Sequence, residues 1–449
     1  VGDIFLGADI GGTKTAIGAV TREQPGKVVV SVTIPTLADD PGAMVQSIAD
    51  KVRTEILPAC DLQPTRAGAG RPPAPGGLLA IGIGCPGPLD LKERRPGALP
   101  NLPQWNGFPM CDALEDLLGV PLFIDNDANV AGLGERVFGA GKTLSDFVFV
   151  TLGTGVGGAV VAGGRVLSGH LGGAGEIGHI QVDPEGPLCG CGKRGCVESL
   201  ASGRAIERAY GKPSTEVFTL ALGGDVRARE VLGAAGRSLG AGLAAAVTLL
   251  DPEAIIFGGG MSQANPNALG FYLDACRAEM EARAYRPWGR SLPFLVSSLG
   301  PEAAVLGAAW LARDRWDVGV LPPGSAVAGP APEARLRTVA KPWGEELWWA
   351  HTPQYVGKRI SVRAGQSLSL QYHLKKTETL FFVSGEGVLI LGDRRIEIRP
   401  DMAVTVAAGV RHRVIAGSGV IFYEASTPEV NDVIRVEDEY GRAGGGGRG

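Results

Sequence analysis

The chain sets apolar stretches of strand length against glycine-rich turns, and it does so twice on one plan. Near the N-terminus "IFLGADI" precedes a glycine turn, then "KTAIGAV" and "KVVVSVTIP", which predicts paired strands. A helix is expected from about Pro41 to Leu57, with Asp40 as N-cap and Pro41 in the first helical position. Residues 58–77, "PACDLQPTRAGAGRPPAPGG", read as a surface insertion, because strand-like "LLAIGIGCPG" resumes at once. The stretch "FVFVTLGTGVGGAVVAGGRVL" then repeats the plan of "IFLGADIGGTKTAIGAVTRE". Two similar halves would leave a cleft between them, where ligands commonly sit. A mostly helical region runs from about Ser202 to Leu250. "AIIFGGGMS" gives another buried strand with a glycine turn, and "AAVLGAAWLARDRW" a closing helix.

The periodicity changes after residues 319–335, "GVLPPGSAVAGPAPEAR", which read as a semi-rigid linker. Short strands such as "KRISVRA", "SLSLQYH", "RRIEIRP" and "GVIFYEA" then follow with turn signals between them, and helical pattern is nearly absent. This predicts a small β-barrel or jelly roll. The expected organisation is two α/β lobes over 1–318, the linker over 319–335, a barrel over 336–442 and a disordered tail over 443–449.

A length of 449 residues fits two or three domains, and 45% hydrophobic residues suffice for real cores. The net charge of −4 gives no footprint for nucleic acid or an anionic membrane. No apolar run approaches the roughly 20 residues that cross a bilayer, and the N-terminus lacks a signal-peptide pattern. Seven cysteines, an odd number, argue for reduced thiols and a cytoplasmic setting.

Three places carry candidate chemistry. "ADIGGTK" follows a strand, so its glycines can bring backbone amides to phosphate, with a hydroxyl from Thr13 and Asp9 placed for magnesium. It is no Walker A loop, and the tempting "GAGKT" fails too, since Arg136 stands where the first glycine belongs. A glycine loop alone is equally a hairpin turn. "FIDNDANVAG" passes from strand to helix and offers Asp125 and Asp127 as bases, although such residues also cap helices. Finally, "HIQVDPEGPLCGCGKRGC" places His179, Cys189, Cys191 and Cys196 within eighteen residues, a good tetrahedral set for zinc. Lys193 and Arg194 between the cysteines make a buried apolar strand a poor alternative. Four protein ligands leave no open position, so such a zinc is structural.

"DIGGTK", "GCPGPLD", "NLPQWNG", "DNDAN", "TLGTGVGG", "EIGH", "CGCGKRGCVES" and "IIFGGG" occur in the order found in ROK-family sugar kinases. Over about residues 3–315 the chain resembles the glucokinases of that family. The resemblance implies an actin-like ATPase (ribonuclease H-like) fold with two lobes closing on hexose and ATP. It implies phosphate loops at Gly11, Gly12, Thr13 and Lys14 and at Gly153, Thr154 and Gly155, with Asp9 near Mg2+ and Gly258, Gly259 and Gly260 near adenosine. It selects Asp127 as base for the 6-hydroxyl, with Asn101, Asn126, Glu176, His179 and Glu198 contacting sugar. The family has the same zinc site. A homodimer is the expected assembly, and hexose 6-phosphate the product.

In the C-terminal part, "GQSLSLQYHLKKTETLFFVSG" has the spacing of a cupin metal motif, and "AAGVRH" ends a second one. With "KPWGEELWW" and "NDVIRVEDEYGR", residues 336–442 resemble the cupin domain of type II mannose-6-phosphate isomerases. That resemblance implies a divalent metal held by Gln371, His373, Glu378 and His412, with Arg435 toward substrate phosphate. Lys376 stands where that family usually has Arg, Leu380 where it usually has Trp, and Ala407 replaces a usual proline. A cupin fold does not fix an activity.

The expected function is therefore phosphorylation of a hexose, foremost glucose, joined to an isomerase-like cupin. The alternatives are a mannokinase or fructokinase with a cupin that only binds sugar phosphate, and a non-enzymatic sugar sensor. A ROK-type repressor is disfavoured, since the phosphate loop begins at residue 9, ahead of which a helix-turn-helix has no room.

Overall fold

The computed structural model describes residues 2–62, 76–99, 102–264, 266–285, 291–319, 336–352, 355–429 and 432–437. The expected insertion and linker lie largely outside the described residues, and the tail wholly so. The chain divides into two compact units, Val1–Ala331 and Pro332–Gly449.

The first unit holds two five-stranded sheets of one design. The first comprises β1 (Ile4–Ile10), β2 (Lys14–Thr21), β3 (Val30–Pro35), β4 (Leu78–Cys85) and β5 (Leu122–Asn126), in the order β3-β2-β1-β4-β5. The second comprises β6 (Phe147–Leu152), β7 (Val156–Ala162), β8 (Arg165–Val166), β9 (Ala254–Gly258) and β10 (Phe294–Val296), in the order β8-β7-β6-β9-β10. In each sheet the first strand runs antiparallel to the second and parallel to the fourth in sequence. β4 and β9 are buried throughout, as strands covered on both faces must be. The duplicated plan is that of the actin-like ATPase fold, as expected.

Helices join the two sheets. α1 (Pro41–Lys51) starts as read, with the Asp40 side chain accepting from Ala43 N and Pro41 in the first turn. α2 (Asp127–Phe138) leaves the end of β5, and its Val130 and Ala131 share a core with Phe149 and Ala159 of the second sheet. α4 (Ala303–Asp317), which follows α3 (Val226–Leu250), returns to lie on β1 and β4. There the backbones nearly touch. A Cβ at Gly7 would stand 1.9 Å from Val305 O, and one at Gly82 1.8 Å from Ala308 O. α2 and α4 meet in the same way, since a Cβ at Gly307 would stand 1.7 Å from Val130 O and one at Gly134 2.2 Å from Ala303 O.

α3 qualifies the sequence reading of the membrane. It is long and apolar enough, by length and composition, to cross a bilayer. Its Leu232, Leu239, Leu243 and Val247 are instead core residues of the second lobe, packed with Val217, Phe218 and Tyr272. Each such side chain contributes about 1.5–3 kcal/mol by burial.

The second unit is a jelly roll of two antiparallel sheets, one of six strands and one of five, consistent with a cupin domain. Strands Glu378–Ser384 and Val420–Ser426 alternate inward and outward residues, so Leu380, Phe382, Val420 and Phe422 join the core. The same period turns Glu378 and Glu424 inward.

Candidate active site and metal centres

The glycine turns after β1 and after β6 close the same kind of hairpin. Gly11 N donates to Lys14 O at 3.0 Å, leaving Gly12, Thr13 and Lys14 exposed. Gly153 N donates to Gly155 O at 3.0 Å, with Thr154 exposed. The third turn, Gly258 to Gly260, abuts the second: Gly259 has φ +85°, and a Cβ there would lie 2.4 Å from Leu152 O. Exposed amides in such turns suit phosphate oxygens.

β5 delivers Asp125, Asn126 and Asp127 to the start of α2, and the hydrogen bonds separate their roles. Asp125 Oδ1 accepts from Asn129 Nδ2 at 2.8 Å and from Asn126 N at 2.7 Å, and the Ser168 side chain bonds the same carboxylate. The helix cap is Asn126, not Asp127: its Oδ1 accepts from Ala128 N at 2.9 Å and Asn129 N at 3.4 Å. Its Nδ2 is left to face outward, toward Gly87. Asp127 accepts from Ala128 N at 2.8 Å through Oδ1 and from its own backbone N–H.

Gly84 lies between the two acidic positions. A Cβ there would stand 3.4 Å from Asp127 Cα and 3.7 Å from Asp9 Oδ1. Burial pushes the Asp127 pKa up to about 6; the Ala128 N–H opposes this and the Glu176 charge adds to it. Asp9 is pushed up to about 7 by burial and by Asp127, against Lys14. Two carboxylates thus face one site and share its positive demand.

Around Gly87 the sugar-side candidates converge, since a Cβ would be 3.1 Å from Asn126 Nδ2 and 3.3 Å from Glu176 Oε1. Glu198 Oε2 accepts from Val156 N at 3.1 Å and lies against Gly155 of the second turn. Asn101 lies outside the described residues.

The histidine and the three cysteines come together, their ligand atoms all within 4.8 Å of one another. Cys191 Sγ and Cys196 Sγ are 3.7 Å apart, and Cys189 Sγ is 3.6 Å from His179 Nδ1. Zn–S bonds near 2.3 Å place thiolates about 3.8 Å apart in a tetrahedron, so the donor set and its spacing fit one zinc ion. His179 Nε2 faces Glu176 Oε2 at 3.9 Å. Cys196 immediately precedes the helix Val197–Ala201 that carries Glu198. A metal here would hold both acids by their neighbours.

In the barrel, His373, Glu378 and His412 gather likewise within 4.8 Å. His412 Nδ1 lies 3.0 Å from Val410 O and His373 Nδ1 3.3 Å from Asp432 O. A carbonyl only accepts, so each Nδ1 is the donor and each Nε2 of the neutral ring presents a lone pair. His412 Nε2 is 2.9 Å from Glu378 Oε1, while His373 Nε2 is buried without a hydrogen-bond partner. Two ring nitrogens gathered with a carboxylate make a donor set that fits a divalent metal. Gln371 sits beside them with its Nε2 3.4 Å from His412 Nε2, its Oε1 accepting from Ser369 at 2.9 Å. Arg435 pairs in register with Gln371 and has a buried, unpartnered Nε.

Two features were not legible as site residues. Glu135, fully buried on α2, accepts from Ser297 Oγ at 2.5 Å, Leu299 N at 3.2 Å and Ala140 N at 2.7 Å. It ties the helix of Asp127 to the loop after β10. In the barrel, Lys376, Lys358 and Glu424 form a buried ion network around Glu378. Only the departure at Lys376 hinted at it.

A sequence pattern described as "ROK family" matches residues 68–315, and one described as "Cupin domain" matches residues 358–422. The glucokinase of Streptomyces coelicolor is 35% identical over 340 residues, covering 69% of this chain and 98% of that protein. A ROK hexokinase from Thermus thermophilus superposes with a TM-score of 0.56 at 34% identity, over 69% of this chain and 98% of that one. A ROK family glucokinase from Streptomyces griseus, solved with glucose and AMPPNP, gives 0.57 at 33% identity over 69% and 99%.

Proposed function

Because the chain belongs to the ROK family, we propose that it transfers the γ-phosphoryl of ATP to the 6-hydroxyl of glucose, with Asp127 as the base. Glucokinase relatives matched over nearly their whole length support ATP-dependent hexose phosphorylation. The observation that carries the assignment of the base is the contrast within one tripeptide. Asp125 is bonded by Asn129, the Asn126 N–H and Ser168, and the Asn126 oxygen caps α2, whereas Asp127 faces the Asp9 and Glu176 carboxylates at a pKa of about 6. Such a carboxylate is ionised at neutral pH yet basic enough to take a proton as the O–P bond forms. The hydroxyl oxygen attacks, the bond to the β-phosphate oxygen breaks, and ADP leaves. A bound Mg2+ would supply charge neutralisation on the phosphates, and Asp9 is the residue to hold it. Glu176, Glu198 and the Asn126 amide would grip the sugar hydroxyls, with zinc at His179, Cys189, Cys191 and Cys196 fixing that wall.

For the barrel we propose a divalent metal on His373, Glu378 and His412 with Gln371, and interconversion of mannose 6-phosphate and fructose 6-phosphate. The unpartnered Arg435 Nε favours a phosphorylated substrate. Mannose and fructose stay open as kinase substrates on this ground, since mannokinase activity would feed the barrel directly. A homodimer in the cytoplasm completes the proposal, the latter favoured by seven free cysteines.

A hexose panel with ATP, read by ADP release, tests the kinase, and glucose should lead it. Absence of ADP release with every hexose would overturn the reading. A mannose 6-phosphate assay tests the barrel separately.

A further inference from the structure

We propose that the barrel carries its own competing cation: the Lys376 ammonium occupies the Glu378 oxygen that a divalent metal would take. Metal and lysine then exclude one another from that oxygen. The inference rests on the metal reading of the barrel and deepens it.

Lys376 is only 4% exposed. Its Nζ contacts Glu378 Oε2 and lies 2.6 Å from Glu424 Oε1. On the neighbouring strand, Lys358 Nζ is 3.4 Å from the same Glu424 oxygen. Two ammonium groups and two carboxylates are therefore balanced before any metal arrives, as buried charges must be. A divalent ion would add charge that nothing in this network compensates, and like charges this close repel strongly in a dry interior. The two oxygens of Glu378 are unequal in this respect. Oε1 faces His412 Nε2 at 2.9 Å, while Oε2 lies 3.6 Å from the unpartnered His373 Nε2 and also meets the lysine. Oε2 is the contested atom. The lysine is aimed there by its turn, because the Asp432 carboxylate accepts from Leu374 N (3.0 Å), Lys375 N (2.6 Å) and Lys376 N (2.8 Å). Glu424, itself bonded by Ser426 Oγ at 3.0 Å, is the alternative seat for the ammonium.

The test is Mn2+ binding to the metal-stripped full chain without nucleotide, read by loss of the free Mn2+ electron-spin signal. Manganese favours oxygen and nitrogen over thiolates, so it reports the barrel rather than the cysteine cluster; a His373→Ala chain gives the background. Lys376→Met should bind Mn2+ at least tenfold more tightly than the unaltered chain. Glu424→Gln, which leaves the ammonium to Glu378 alone, should bind at least tenfold more weakly. A general loss of folding would weaken both variants, so the opposite signs are diagnostic. Should Lys376→Met fail to fold, an unchanged affinity in Glu424→Gln overturns the proposal by itself. Equal affinities in all three chains, above the His373→Ala background, would sink the competition while sparing the metal reading. No saturable binding in either the unaltered chain or Lys376→Met would end both.

Discussion

The two candidate metal centres are built in opposite ways. The thiolate cluster takes all four ligands from one loop, residues 179–196, with His179 and Cys191 exposed. The barrel cluster takes buried ligands from three strands in two sheets, with a lysine among them. The loop is held by a few backbone bonds, such as Cys189 N to Lys193 O and Gly195 N to Pro187 O, and has no core of its own, whereas the barrel has its own core and its own internal charge balance. The difference teaches that a ligand set does not by itself reveal how much a protein depends on its metal. What surrounds the donors decides.

Four measurements break or sharpen that contrast. Asp127→Asn should lower the phosphorylation kcat by about 10²–10⁴-fold and leave Mn2+ binding in the barrel unchanged; ADP release and metal titration read the two. Its fold should survive. A carboxyl raised from 3.8 to about 6 costs the folded state stability that is absent below about pH 4 and complete above about pH 6. The amide variant should therefore melt no lower than the parent at pH 7.

Cys191→Ser, or zinc removal by a chelator, should lower kinase turnover at least tenfold, in line with the cost of losing supporting shells around a site. Normal turnover in a zinc-free preparation would show the loop to be self-supporting. Next comes pH. The base must be ionised, so kcat/KM should fall as pH drops through about 6, approaching tenfold per pH unit below it. A flat profile down to pH 5 would remove Asp127 from the role. Smallest, His373→Ala should change kinase kcat and KM less than twofold while abolishing Mn2+ uptake by the barrel. A larger kinase effect would mean that the two units communicate.

Much of the kinase unit was legible because its signals are local. A strand, a glycine turn and a second strand, written twice, gave two sheets of one order, and eighteen residues gave the thiolate set. What stayed hidden depends on partners far along the chain. Nothing in "DNDAN" says that Asn126 rather than Asp127 caps the helix, since both residue types do so equally well. Glu135 looks like a surface helix residue until Ser297 and Leu299 close over it. Glu424 falls on the inward period of its strand, but only its register opposite Lys358 shows which cation it meets there. The barrel motif could be recognised by spacing, but its lysine had meaning only in three dimensions.

The crossing of α2 and α4 at Gly134 and Gly307 leaves no room for a side chain on either helix. Position 134 is two helical turns, about 10 Å, along α2 from Asp127. One added methyl at either glycine would have to pry the rods apart, and the lever so created ends at the carboxylate. The enzyme's precision thus hangs on two hydrogen atoms that never approach a reactant.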